Sequence, residues 1–288
     1  MKKLLFAAAL CGFFMFDSVA QDLPQPSPAA MVKQRIGLTD FSVEYSRPGV
    51  KGREVFDSLV PYGEVWRTGA NKANQFTSST NFMFGDTEVE AGTYSLFTIP
   101  GEKECVIILN SETELWGTGE YNSENDVARY TAEVHRIDIE EMKTERMEFW
   151  FSDFDDEGKG GKLNIMWDNY HVAAPLSVEV HERALENIKN ALASEPTWST
   201  YRNAANYCLN SGQDLKQGIE WINKSLAEGG DESWYTYWVK AELLHADGQN
   251  KSAKIVGKEA IRKGEESAKA DGREFTYGAG LMEEMKAW

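Results

Sequence analysis

A short basic segment in an acidic chain carries the side chains best suited to hold a ligand. Residues 46–72 contain five lysines and arginines against three acidic residues, a net charge of +2, and three glycine-containing turn sites. A guanidinium presents its N–H donors in a planar fork that fits carboxylate or phosphate. The segment therefore predicts a site for an anionic small ligand or a protein partner, formed by Arg47, Lys51, Arg53, Trp66, Arg67 and Asn71.

Other interpretations of this segment stay open. In a structural interpretation, the arginines pair internally with carboxylates and lock an irregular loop over a sheet, because ion-pair networks also gather charges. In an enzymatic interpretation, a periplasmic, hydrolase-like protein uses Arg47 and Arg67 to hold its substrate, with Glu64 or His135 as general base. A purely structural envelope protein is the third alternative.

The common catalytic signatures are absent from the sequence. It contains no His-Glu-x-x-His, Gly-x-Ser-x-Gly, Ser-x-x-Lys or Cys-x-x-Cys motif. Residues 153–158 resemble the start of a calcium loop, but Asn164 stands where the bidentate glutamate belongs, which favours a solvated turn. His135, His171 and His181 show no metal-ligand spacing. We therefore assign no catalytic residue, metal or cofactor, and the first hypothesis is a non-catalytic binding or scaffold protein.

The overall charge argues against one class of partner. The 288 residues include 30 Lys and Arg against 46 Asp and Glu, a net charge of −16. Residues 21–177 carry −13 of this and residues 178–288 carry −4. Nucleic-acid binding requires a net basic footprint, so we do not expect it.

The first residues have the layout of a secretory signal peptide. Lys2 and Lys3 precede an apolar run over residues 4–16, and small residues lead to Ala20. The run is shorter than the ~20 residues of a transmembrane helix. The pattern predicts cleavage after residue 20, a proline-rich leader over 21–30, and export to the periplasm or the cell exterior. The remaining cysteines, Cys105 and Cys208, are predicted to be buried thiols in separate domains.

Two periodicities divide the rest of the chain. Over residues 31–175, apolar and polar residues alternate in short runs at 41–46, 127–139, 147–152 and 163–168, and residues 105–109 form a continuous apolar run. Such short strands with turns between them predict an antiparallel β-sandwich, or a barrel-like variant, without a parallel βαβ sheet.

Residues 178–288 are rich in Ala, Leu, Lys and Glu, and they contain a weak internal repeat. Trp198, Tyr201, Ala205 and Gly212 recur 36 residues later as Trp234, Tyr237, Ala241 and Gly248. Small residues seven apart, Gly218 with Ser225 and Ala253 with Ala260, predict helix faces that a second helix approaches closely. A helix–turn–helix period of this length resembles the tetratricopeptide repeat. We predict two degenerate units with flanking helices over 178–194 and 263–288, giving an α+β protein of two domains.

Longer motifs around the basic segment resemble a known family. They include Ser-Arg-Pro at 46–48, Leu-Val-Pro-Tyr-Gly at 59–63, Val-Trp-Arg-Thr-Gly-Ala-Asn at 65–71 and Ala-Gly-Thr-Tyr-Ser-Leu-Phe-Thr-Ile-Pro at 91–100. Over about residues 30–175 the chain resembles exported bacterial proteins catalogued as domain of unknown function 2911. The family pattern usually has a tryptophan where this chain has Cys105. The resemblance implies the fold and export expected above, and no reaction.

Overall fold

The computed structural model describes residues 23–288, and the chain divides into two compact units. The first unit includes Asp40–Phe154 and Gly161–Leu176, and the second includes Ser177–Trp288 together with Arg35–Thr39 and Asp155–Gly160. The first is built from strands and the second mainly from helices, which confirms the α+β class. The predicted signal peptide, residues 1–20, lies outside the described residues.

The strands form two sheets. In the described part of the chain they are β1 (Ala29–Ile36), β2 (Thr39–Ser46), β3 (Asn74–Ser78), β4 (Phe82–Phe84), β5 (Thr87–Val89), β6 (Gly92–Pro100), β7 (Glu104–Asn110), β8 (Asp126–Glu133), β9 (His135–Arg136), β10 (Thr144–Ser152), β11 (Gly160–Asp168) and β12 (Tyr170–Ser177). One sheet has the order β1-β2-β3-β6-β7-β8 and the other β10-β11-β12-β4-β5, with β9 beside β12. The strand pairs β2·β3, β3·β6, β6·β7, β7·β8 and β10·β11 are antiparallel, as predicted.

The predicted alternation explains which side chains form the core of the first unit. In β2, Phe41, Val43 and Tyr45 are buried and the intervening Glu44 is exposed, because successive strand residues point to opposite faces. Aromatic rings from the two sheets meet: the ring centroid of Phe41 lies 5.3 Å from that of Phe82 on β4. The apolar run on β7 is buried on nearly every residue, as expected for a central strand.

The predicted long strand over residues 127–139 is interrupted. It is divided into β8, which pairs with β7, and β9, which pairs with β12 of the other sheet. At the crossing, the N–H of Val134 donates to the carbonyl of Lys103 at 2.8 Å. Alternation alone did not show this change of sheet, because both halves keep the period of a strand.

Helices make up most of the second unit. They are α1 (His181–Ala193), α2 (Trp198–Ser211), α3 (Leu215–Ala227), α4 (Trp234–Ala246), α5 (Asn250–Ala270) and α6 (Gly278–Glu284). The N–H of Thr197 donates to the hydroxyl of Thr200 at 3.2 Å where α2 begins. Gly212 ends α2 with φ +64°, a left-handed conformation that glycine adopts without a Cβ penalty.

The small residues singled out in the repeat lie in the helical interior. Gly218, Ser225, Ala253 and Ala260 are all buried. The predicted flanking helix over 178–194 corresponds to α1, whereas the one over 263–288 is wrong: Lys263 lies inside α5, and a separate short helix, α6, follows. Residues 271–277 interrupt the helical pattern with Gly272 and an aromatic pair, so the chain turns before α6 begins.

Glu242 on α4 makes the stability of the second unit depend on pH. Burial, followed by the neighbouring charge of Glu284, raises the pKa of Glu242 to about 7. The folded state therefore holds the proton more tightly than the unfolded chain. The resulting stabilisation is fully present below the unfolded pKa, near 4.5, and is lost as the pH rises through about 7. We expect Glu242→Gln to be more stable than the wild type at pH 8 by roughly 1–2 kcal/mol after screening by solvent.

Thermal unfolding followed by circular dichroism at pH 4 and pH 8 measures this difference. Glu265→Gln is the matched control, because Glu265 is an exposed glutamate on α5. An equal effect of pH on the wild type and on Glu242→Gln would contradict the assignment.

Both cysteines of the described chain are free and buried, which confirms the predicted thiols. Burial raises the pKa of Cys105 to about 12 and that of Cys208 to about 11, so neither is a reactive thiolate at neutral pH. No helix among residues 23–288 is both long and apolar enough to cross a membrane.

Candidate functional site

The first two arginines of the predicted site donate to main-chain carbonyls. Arg47 donates through Nε to the carbonyl of Met147 at 2.8 Å, and its Nη2 lies 3.7 Å from the carboxylate of Glu148. Arg53 donates through Nε and Nη2 to two carbonyls of its own turn, at 3.0 and 2.6 Å. These bonds fasten the segment to β10 and close its turn. Their geometry favours the interpretation in which arginines lock an irregular loop, with carbonyls as the main partners.

Three more predicted residues each contact a different partner. Lys51 is exposed, and its main-chain N–H donates to a glutamate carboxylate at 3.0 Å. Trp66 stacks on Trp167 with ring centroids 5.7 Å apart. Asn71 donates through its side chain to the hydroxyl of Ser46 at 3.1 Å. Trp66 and Asn71 thus make contacts that position the segment.

Arg67 differs from Arg47 and Arg53. It is half-buried, and its Nε is a buried atom without a hydrogen-bond partner. Its guanidinium lies beside Gly117, where an added Cβ would be 3.8 Å from Nη1. None of the six predicted residues lines the cavity described next.

A cavity of about 840 Å³ lies in the first unit, and three parts of the chain line it. Residues 54–62 of the basic segment form one wall, residues 102–103 with 133–136 form another, and residues 168–169 complete it. The first wall is a tight turn, since the N–H of Val60 donates to the carbonyl of Val55 at 2.8 Å. Gly63 then bonds to the end of β6, donating to the carbonyl of Pro100 at 2.8 Å. The predicted segment therefore borders a cavity, but with residues other than its arginines.

Arg136 on β9 is the arginine of this cavity. Its Nη1 donates to the side-chain oxygen of Asn169 at 3.1 Å, and its Nη2 donates to the hydroxyl of Tyr62. The guanidinium carbon lies 4.7 Å from the ring centroid of Tyr170 and 6.0 Å from that of Phe56. All of these partners are uncharged, and within residues 23–288 no carboxylate forms an ion pair with the half-buried guanidinium of Arg136.

A stacked pair of aromatic rings packs against Arg136. The rings of Phe56 and Tyr170 are stacked at 3.9 Å, and the hydroxyl of Tyr170 donates to the carbonyl of Gly101 at 3.1 Å. Burial is the main cause that raises the pKa of Tyr170 well above its usual value. Tyr170 therefore stays protonated at physiological pH and acts as a fixed support. Cys105 is a neighbour of Tyr170.

Carboxylates outnumber cations around the cavity. Glu54, Asp57, Glu102, Glu133 and Asp168 face two basic residues, Lys103 and Arg136, which leaves the lining at −3. Four of the five acidic residues are exposed at the rim, and Asp168 is half-buried. Asp57 and Asp168 have φ values of +66° and +55°, a region that aspartate tolerates better than most residues. Within the described residues, none of the five carboxylates forms an ion pair.

The predicted general bases do not line this cavity. Glu64 is exposed, and His135, next to Arg136 in sequence, lies against His171 with ring centroids 5.9 Å apart. His171 stacks on Trp150 at 5.2 Å, and burial, with a smaller effect of His135, lowers its pKa. The pair is a packed aromatic cluster and not a base aimed at the cavity.

The other candidate ligand groups serve local structure. His181 has its Nδ1 3.1 Å from the hydroxyl of Tyr207 and its Nε2 3.2 Å from the carboxylate of Asp214. In the calcium-like turn, a carboxylate oxygen of Asp155 accepts the N–H of Lys159 at 2.7 Å. Over residues 23–288, no three His, Cys, Asp or Glu side chains are grouped as metal ligands.

The first unit matches a known protein family. The family described as "Protein of unknown function (DUF2911)" matches residues 27–176, more than half of the 288. The chain belongs to the DUF2911 family. Every residue that lines the cavity falls inside the matched DUF2911 region, whereas helices α1–α6 lie after it. Neither the curated proteins nor the solved structures contain a match to the chain.

Arg136 was not predicted as a site residue. It stands in an alternating run with no local motif, and it lies outside the basic segment 46–72. One signal was available: Asp168 and Asn169 form a turn between two strand-like runs, and such turns gather polar side chains at a sheet edge. That signal does not indicate which arginine lies beside the turn.

Proposed function

We propose that this DUF2911 protein is an exported, non-catalytic binding protein, in which the β unit takes a small ligand carrying an anionic group. The first unit is a β-sandwich in this proposal, supported by the aromatic contacts between its sheets. The pattern of residues 1–20 supports export to the periplasm or the cell exterior. The binding site is the cavity around Arg136, instead of the arginines of the basic segment.

The helical unit serves as a docking or stabilising module in this proposal. Helices α2–α3 and α4–α5 are two degenerate tetratricopeptide-like hairpins. Their support is the 36-residue spacing, which places Trp198 and Trp234 at the first position of α2 and α4. Gly212 and Gly248 follow the same two helices with positive φ values of +64° and +80°.

The observation that carries the ligand proposal is the unneutralised charge of Arg136. Three aromatic groups and one amide hold its guanidinium in a fixed orientation beside open space. The hydrogen bonds and aromatic contacts replace only part of the solvation that this half-buried charge loses, because none of these partners carries a negative charge. A ligand carboxylate or phosphate replaces it through charge-assisted hydrogen bonds.

A thermal-shift screen of carboxylates, phosphates, amino acids, short peptides and glycans against the wild type and Arg136→Gln tests the proposal. A ligand at 100 times its Kd stabilises the folded state by about 2.7 kcal/mol, a shift of several degrees. We expect that shift in the wild type and its loss in Arg136→Gln. Lys33→Gln is the control, because it removes one positive charge from an exposed position on β1.

Two results oppose the proposal. A ligand that stabilises the wild type and Arg136→Gln equally does not use this arginine. A screen in which no compound stabilises the wild type leaves the β unit without the proposed binding activity. A fall in Tm of Arg136→Gln without ligand is measured separately, and it does not enter the comparison of ligand-induced shifts.

A further inference from the structure

We infer that the ligand is a zwitterion: a short peptide with a free α-carboxylate for Arg136 and a free ammonium group for the acidic rim. The inference rests on the proposed function, since it concerns the same cavity. It gives the ligand a positive charge in addition to the negative one, and it specifies short peptides as the chemical class.

The hydrogen-bond donors of Arg136 support a negative charge at one end of the ligand. A guanidinium has five N–H donors, and Arg136 uses two of them, one to Asn169 and one to Tyr62. Among the described residues, the other N–H groups of Arg136 have no hydrogen-bond partner, and Arg136 lines the cavity. A planar carboxylate is the group that matches this fork.

The charge of the cavity argues against a ligand that is only an anion. The lining carries −3, with exposed carboxylates at Glu54, Asp57, Glu102 and Glu133 around the opening. A simple anion must pass these groups to reach Arg136, and like charges oppose its approach. A simple cation finds favourable charges at the rim but meets Arg136 beyond it. A molecule with both charges satisfies both parts of the cavity.

The apolar part of the cavity lining fits a peptide better than an inorganic ion. Phe56 and Val55 are buried apolar residues of the lining, and Tyr62 adds a half-buried ring. A volume of about 840 Å³ lies within the range of organic ligand sites. Three extended residues reach about 10 Å, which separates the ammonium group from the carboxylate while the side chains contact the apolar wall.

Four forms of one tripeptide provide the test by isothermal titration calorimetry. They are trialanine, its N-acetyl form, its C-terminal amide, and the form with both ends blocked. We expect trialanine to bind most tightly. Each single block weakens binding at least tenfold, the scale of one lost charge-assisted hydrogen bond.

Matched variants assign each end to its part of the cavity. In Arg136→Gln, blocking the carboxylate should have little further effect. In Asp57→Asn/Glu133→Gln, which changes two residues of the acidic rim, blocking the ammonium group should have little further effect, and asparagine keeps the positive φ value at position 57. Asp86→Asn/Glu88→Gln is the control, because it also removes two negative charges, but from exposed positions beside β4 and on β5.

The outcomes separate this inference from the proposed function. If N-acetyl-trialanine binds as tightly as trialanine, the ammonium site is wrong and the anion site at Arg136 stands. If no form binds the wild type, the peptide class is wrong, and the thermal-shift screen decides independently whether the cavity binds any ligand. If the exposed control pair weakens trialanine as much as the cavity pair, the effect is one of overall charge and the acidic rim is overturned as a binding site.

Discussion

Replacing Phe41 by alanine is expected to lower the free energy of unfolding of the β unit by about 3–5 kcal/mol. Phe41 is 1% exposed, and its ring centroid lies 5.8 Å from that of Phe76 on its own sheet. It also lies 5.3 Å from Phe82 and 6.4 Å from Phe151 on the other sheet. Truncation therefore leaves a void where the two sheets meet, and the rings around it cannot close it without moving a strand.

Urea unfolding followed by far-ultraviolet circular dichroism and tryptophan fluorescence measures this loss. Phe154→Ala is the control, because Phe154 belongs to the same unit and is 48% exposed. We expect the control to lie within about 0.5 kcal/mol of the wild type. A similar loss of stability in both variants would show that burial between the sheets does not determine the effect of the substitution.

A second large effect is expected from Gly218→Leu in the helical unit. An added Cβ at Gly218 would lie 2.9 Å from the Cβ of Cys208 on α2 and 3.0 Å from Cδ2 of Leu243 on α4. Leucine favours a helix over glycine by nearly 1 kcal/mol, but here its side chain must displace two neighbouring helices. We expect a net loss of about 1–3 kcal/mol, together with a lower Tm of the helical signal at 222 nm.

Gln217→Leu is the control that separates the effect of close helix packing from the effect of introducing a leucine. Gln217 is exposed and precedes Gly218 on the same helix, so the same side chain is introduced where no helix opposes it. This control should unfold close to the wild type. If Gly218→Leu were as stable as Gln217→Leu, the close approach of α2, α3 and α4 would not limit side-chain size.

The elements that follow from a repeating pattern were predictable. The alternation at Phe41, Val43 and Tyr45 and the apolar run on β7 show which faces are buried, because strand residues alternate with period two. Gly218 and Ser225 indicated a close helix contact without any structure, since only small residues fit there. The boundary after α5 was missed, although Gly272 and the aromatic residues at 275 and 277 interrupt the helical pattern directly after Ala270.

The candidate site was predictable only in part. The basic segment was selected for its arginines, and it does form a wall of the cavity, through Phe56 and Tyr62. Arg47 and Arg53 instead complete hydrogen bonds to carbonyls of an irregular backbone. A cation count cannot distinguish an arginine that satisfies the main chain from one that faces open space, because the difference lies in which acceptor is within about 3 Å.

The sequence by itself determined the α+β class, the acidic character of the β half, the buried thiols and the membership of residues 27–176 in DUF2911. These depend on composition, short-range periodicity and contiguous motifs. Only the tertiary structure decided that Arg136 meets Tyr62, Asn169 and Tyr170, which lie 74, 33 and 34 positions away along the chain. The physical reason is the crossing between sheets after β8: pairing of β9 with β12 sets the position of Arg136, and strand pairing is a long-range choice that local residue patterns do not contain.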